Sequence, residues 1–174
     1  MTARKLPFDP IERATEHWQD QGWEAYAGGM AAVTSVMRGQ QIYLARANDL
    51  LRPLDLTFSG FEVLALLAFS RRGSLPLGKV SERLQVNAGT VTSSINRLAL
   101  RGLVQRVPNP ADGRGVLAQL TTEGRAVMKK AARLLNEGLF VCTGLDEQDQ
   151  AQLVRLLAGV RRWSGDFGEG QSSG

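Results

Sequence analysis

The sequence predicts a mainly α-helical protein with one small β-hairpin, and three observations predict it. Apolar residues recur at intervals of three and four over most of the chain, the period of helices that bury one face. Two short apolar runs, holding Val104 and Val107 and then Val116, Leu117 and Leu120, flank the turn Asn109-Pro110-Ala111-Asp112-Gly113-Arg114. Capping residues and helix breakers punctuate the rest at intervals that suit helices.

Asp9-Pro10-Ile11-Glu12 is a helix start, with Asp9 as N-cap, Pro10 in the first turn and Glu12 three residues after the cap. The helix should end near Gly22, and Gly22, Gly28 and Gly29 should break the pattern. A longer helix is expected over residues 30–51, with Val33, Val36, Met37, Leu44, Ala47 and Leu51 in phase and Pro53 as its stop. Ser59 and Glu62 form a capping-box pattern for a helix over 60–71, apolar nearly all round and therefore central. Residues 74–77 read as a short extended piece, and 78–84 as a short helix with Val80 and Leu84 inward. Asn87 caps the next helix, and Gly102 turns the chain into the hairpin. Thr121 or Thr122 caps a helix over 123–143, Gly144 ends it, and Asp146 caps a last helix over 147–163. The tail, rich in Gly and Ser, is expected to be disordered.

The expected divisions are N-terminal helices (1–54), a central helix-and-hairpin domain (55–122), C-terminal helices (123–164) and a tail (165–174). Helices flanking so short a central segment have apolar stripes of their own, which a second copy of the chain would cover.

Composition narrows the function. The chain has one Cys and one His, which leaves no Cys/His zinc site. Cys142 reads as a buried or inert thiol in a reducing cytoplasm. No apolar run is long enough to span a membrane, and no secretion signal is expected. There is no phosphate loop, no Gly-x-Ser-x-Gly and no metal-ligand cluster, so an enzyme is not expected and no cofactor is called for. The net charge is +4, yet residues 71–114 alone hold eight basic and two acidic residues. Positive charge gathered in one segment points to a polyanion partner.

The helix after Asn87 shows how that partner would be met. Val91, Ile95 and Leu98 face inward. The opposite face offers Ala88, Gly89, Thr90, Ser93, Ser94 and Arg97, flanked by Thr92 and Asn96. Small residues at the helix start let a backbone approach, and hydroxyls and amides can bond bases or phosphates. With Lys79 on the preceding helix this is a helix-turn-helix, and Arg114 at the hairpin tip suits a minor groove. The full reading is a winged helix-turn-helix with N- and C-terminal dimerisation helices. The competing readings are a winged helix used for protein contact, or a DNA-binding protein that answers to no ligand.

Four runs carry a family resemblance: Val91-Thr92-Ser93-Ser94-Ile95-Asn96-Arg97-Leu98, then Arg101-Gly102-Leu103-Val104-Gln105-Arg106, then Asn109-Pro110-Ala111-Asp112-Gly113-Arg114, then Leu120-Thr121-Thr122-Glu123-Gly124-Arg125. With Leu56-Thr57 they make the chain, over residues 30–163, resemble the MarR family of bacterial transcriptional regulators. The resemblance implies a homodimer that binds palindromic double-stranded DNA operators, usually as a repressor, in the cytoplasm and its nucleoid. It implies release by a small aromatic or anionic ligand in many members. Arg114 matches the wing arginine, whereas Gly113 stands where a basic residue is usual. Oxidant sensing and zinc sensing are disfavoured, because no Cys lies in the first helices and His17 stands alone. The N-terminal helix also resembles the urate-responsive branch: Trp18 matches, Glu62 stands at an acidic position and Arg106 at a strand arginine, but Ser94 replaces the arginine of the reading helix. Trp18, Glu62 and Arg106 are thus the candidate ligand set.

Overall fold

The computed structural model describes residues 5–110 and 115–168. Among these are seven α-helices and three short strands, in two compact units, Met1–Arg46 and Ala47–Gly174.

In the first unit, α1 spans Pro10–Asp20, and the Asp9 carboxylate accepts from the Ile11 amide at 2.8 Å, as its capping pattern predicts. Trp18 and Trp23 meet edge to face, 5.2 Å between ring centres. The expected break falls at Gly22 alone, in the left-handed region (φ 76°). Helix α2, Glu24–Leu51, then runs straight through Gly28 and Gly29, so its start lies six residues before the expected one. A glycine costs a helix interior about 1 kcal/mol, which a helix of 28 residues absorbs. Its apolar residues Val33, Val36 and Met37 (62 % exposed) meet solvent.

The second unit begins with the last turn of α2, where Ala47 and Leu51 are buried. A 3-10 turn, Arg52–Leu54, ends at Asp55, which is left-handed (φ 48°). Helix α3, Phe58–Phe69, is the centre of the core: Val63, Leu64 and Leu67 are fully enclosed. It starts and ends two residues before its expected bounds, because Thr57 rather than Ser59 is the cap. The Thr57 hydroxyl accepts from the Gly60 amide at 3.2 Å.

Strand β1 (Ser74–Pro76) leads into α4 (Leu77–Leu84) and α5 (Ala88–Leu100). The expected hairpin is β2 (Val104–Pro108) with β3 (Val116–Leu120), antiparallel, with Arg106 opposite Ala118. The extended piece before α4 joins as a third strand, giving the order β1-β3-β2. Helix α6 (Thr122–Leu135) is capped by Thr121, whose hydroxyl accepts from the Gly124 amide and reaches the Gly102 and Leu103 carbonyls. A Cβ at Gly124 would stand 2.0 Å from the Leu103 oxygen, so this contact between α6 and the chain leaving α5 requires glycine.

Helix α6 ends in a π turn, Asn136–Phe140, and Cys142 just beyond it is exposed, not buried. Helix α7, Glu147–Trp163, is capped by Asp146 and has no buried residue. Its apolar stripe, which includes Leu156, Val160 and Trp163 (89 % exposed), is open. No helix among the described residues is long and apolar enough to cross a membrane.

Candidate nucleic-acid interface

Helices α4 and α5 are joined by a tight turn. Gln85 takes the left-handed conformation (φ 53°), and the Ser81 hydroxyl donates to the Val86 carbonyl. Asn87 then opens α5. Its side-chain oxygen accepts from the Thr90 amide at 2.8 Å and from the Thr90 hydroxyl at 3.0 Å. The first turn is therefore rigid, bare and capped. Asn87, Ala88, Gly89, Thr90, Ser93, Asn96 and Arg97 are exposed, and Thr92 is half-buried. Val91, Ile95 and Leu98 are buried against the core.

Ser94 departs from the expected face. It is 4 % exposed. It lies three residues after Val91 and four before Leu98, so the 3.6-residue period places it on the inward side. It borders a cavity of about 480 Å³ whose lining includes Arg52, Asp55, Arg97, Leu100 and Arg101. That volume is within the range of small-molecule sites. Sequence reasoning missed Arg52, Asp55 and Arg101 because the cavity joins segments about forty residues apart, and no local pattern marks such a meeting.

Lys79 on α4 is exposed, and its ammonium lies 2.7 Å from a Glu82 carboxylate oxygen. That hydrogen bond, then the charge itself, holds the Glu82 carboxyl below the usual carboxylate range. Asn96 and Arg106, read separately in the sequence, are brought together: the Arg106 guanidinium donates to the Asn96 side-chain oxygen at 2.9 Å. The bond ties the outer face of α5 to β2. Glu62 is half-buried on α3, and burial lifts its carboxyl above the usual range. Trp18 belongs to the first unit, on Trp23. None of Trp18, Glu62 and Arg106 is among the residues lining the cavity. Arg114, with Ala111, Asp112 and Gly113, lies outside the described residues, although the hairpin arms are closed by the Asn109 amide donating to the Gly115 carbonyl at 2.9 Å. Among the described residues no group of three or more His, Cys, Asp or Glu is placed to hold a metal ion.

A capped helix with a small-residue exposed start, set behind a second helix and beside an antiparallel hairpin, defines a winged helix-turn-helix DNA-binding protein. The MarR family model matches residues 54–115. The multiple antibiotic resistance protein MarR of Escherichia coli is 36% identical over 115 residues, which is 65% of this chain and 78% of that protein. A single-substitution mutant of that MarR, solved in complex with operator DNA, superposes with a TM-score of 0.70 at 29% identity, covering 78% of this chain and 96% of that one. Sco5413, a MarR family transcriptional regulator from Streptomyces coelicolor, gives a TM-score of 0.75 at 40% identity and covers 82% of this chain and 99% of its own. BpsR of Bordetella bronchiseptica, whose DNA binding is regulated by 6-hydroxynicotinic acid, gives 0.66 at 27% identity, covering 73% and 90%. The chain belongs to the MarR family of DNA-binding transcriptional regulators. Its relatives are regulators, not enzymes.

Proposed function

We propose that the protein is a homodimeric repressor that binds palindromic operators in the bacterial cytoplasm and nucleoid, with α5 of each copy in a major groove. One observation carries the reading: the exposed start of α5, held by Asn87 and lined by Gly89, Thr90 and Ser93, has no acidic residue. In the proposed complex Gly89, Thr90, Ser93 and Arg97 meet DNA at α5. Asn87, Thr92 and Asn96 flank them, Lys79 reaches a phosphate from α4, and Arg114 enters a minor groove. Ser94, being buried, is withdrawn from this set. The dimer is supported by the uncovered apolar residues Val33, Val36 and Met37 of α2 and Leu156, Val160 and Trp163 of α7.

The ligand of this reading is a small anion, as a regulated relative such as BpsR encourages. We assign it to the cavity beside Ser94, where Arg52, Arg97 and Arg101 supply positive charge. The earlier set is less suited, since none of Trp18, Glu62 and Arg106 lines that cavity.

Binding to random and to selected duplexes across a salt series tests the function. A dimer neutralising about six phosphates gives a log–log slope near −5. Ser93→Ala should change the ranking of operators and not scale them all alike. A weak, salt-independent response would favour a protein-contact module instead.

A further inference from the structure

We infer that Asn96 reads a base edge through its amide N–H groups alone, that Arg106 is the positioning residue that makes it do so, and that α5 therefore favours guanine over adenine at the base pair Asn96 meets. This rests on the placement of α5 in a major groove proposed above. Both residues belong to the second unit, and both are exposed, Asn96 on α5 and Arg106 on β2. The Arg106 guanidinium donates to the Asn96 side-chain oxygen at 2.9 Å. A guanidinium carries donors and no acceptor. It can hold only the oxygen of a carboxamide, so the nitrogen must face away from it. What Asn96 has left to offer is two N–H donors. Asn96 shares a helix face with Gly89 and Ser93, at i, i+4 and i+7.

Asn87, at the start of the same helix, is in the same condition. Its oxygen accepts from the Thr90 amide and the Thr90 hydroxyl, so its nitrogen is what it can offer. The far end of α5 is braced as well: Arg101, its C-cap, donates to the Leu54 carbonyl at 2.8 Å and to the Asp55 carbonyl. Asn96 is thus presented from a helix fixed at both ends. An asparagine with both its groups free pairs with adenine, taking a bond from N6 on its oxygen and giving one to N7 from its nitrogen. With the oxygen already held by Arg106, the adenine N6–H would meet an Asn96 N–H, donor against donor. Guanine presents acceptors at both N7 and O6, which two N–H groups can meet. Thymine O4 is an acceptor too, so the contrast lies between the purines. Arg106 sets this preference from β2 without touching a base.

The experiment starts from a duplex selected from a random library by the full-length wild-type protein, with each base pair then replaced in turn. Wild type should prefer guanine over adenine at one position by about ten-fold, the scale of a good base contact. Asn96→Ala should shrink that preference to within about two-fold and leave the other positions as they were. Arg106→Met keeps the length of the side chain and removes its donors, which frees the Asn96 carboxamide to turn over. The preference should then fall to within about two-fold at the same position, with adenine gaining. Arg106→Lys, again a donor without an acceptor, should keep it. Thermal unfolding of each variant identifies any that fail to fold. If Asn96→Ala weakens all duplexes alike, Asn96 is a backbone contact and the inference is overturned. A salt slope lowered by about 1 in Arg106→Met with the guanine preference intact would make Arg106 a phosphate contact and overturn its positioning role. If wild type selects no duplex, base reading by α5 itself fails and the role of Asn96 with it. If it selects one in which no position favours guanine over adenine, the reading by α5 stands and the donor-only assignment of Asn96 fails.

Discussion

Asn87 can be changed in two ways that separate folding from DNA binding. Its side-chain oxygen accepts from the Thr90 amide at 2.8 Å and the Thr90 hydroxyl at 3.0 Å. Asn87→Ala leaves that amide without its acceptor. Loss of an N-cap costs about 1 kcal/mol, or about 2–4 °C in Tm for a chain of this length. Asn87→Asp keeps both bonds, and a carboxylate at a helix N-terminus is favourable by a few tenths of a kcal/mol. Its Tm should therefore match or slightly exceed that of wild type. Its effect on DNA is the reverse. A negative charge about 5 Å from a phosphate costs about 0.8 kcal/mol in water and about 3 kcal/mol at an interface dielectric near 20. The expected loss of affinity is thus on the order of ten-fold, smaller at high salt. Calorimetry or circular dichroism reads the first quantity, and fluorescence anisotropy on a labelled duplex reads the second. An Asn87→Asp protein that binds DNA as tightly as wild type would refute the placement of the α5 start against DNA. An Asn87→Ala protein that melts with wild type would refute the cap.

Three further outcomes follow from other parts of the chain. Arg114→Ala should weaken binding to all sequences alike and lower the salt slope by about 1, as measured by titration between low and physiological salt. Gly124→Ala should gain about 1 kcal/mol in helix propensity but push a Cβ to 2.0 Å from the Leu103 oxygen, so the net loss is about 2 kcal/mol and about 4–8 °C in Tm. For Glu62, burial raises the carboxyl pKa in the folded state. The folded protein therefore holds that proton more tightly than the unfolded chain, and its stability falls as pH rises through the folded pKa. Glu62→Gln removes the buried charge and should raise Tm at pH 7.5, with the gain shrinking as pH falls toward 4. A gain independent of pH would place its origin elsewhere.

What was legible in the sequence was local. Caps at Asp9, Asn87 and Asp146, and Thr121 as one of two candidates, are readable because a side chain and the amide two or three residues on are fixed by the chain itself. The hairpin was readable because its turn and both apolar runs lie within seventeen residues. Misplacements came where two local signals competed. Thr57 and Ser59 both offer a hydroxyl near the start of α3, and Thr57 is the one that meets the Gly60 amide. Gly28 and Gly29 look like breakers, but exposed glycines within a long helix lower its stability without ending it. The tie from Arg101 to Leu54 and Asp55 and the bond from Arg106 to Asn96 had no sequence signal at all. An arginine reaches any acceptor that the tertiary fold brings within its length, so its partner is settled only once the fold is known.

Ser94 shows why this matters for regulation. Read beside Ser93 it was a DNA contact, but one step along a helix is a rotation of about 100°, and that step turns it from solvent to the cavity. The same thirteen-residue helix therefore carries the exposed reading face at its start and, from Ser94 onward, the cavity residues Ser94, Arg97 and Leu100, with Arg101 as its C-cap. In the proposed regulation, a ligand in that cavity needs no distant relay to reach the reading face. An anion drawing on Arg101 would compete with the Leu54 and Asp55 carbonyls for the same guanidinium. In the proposed regulation the carbonyl-tied and the anion-bound arrangements of Arg101 are the two states whose equilibrium the ligand would bias.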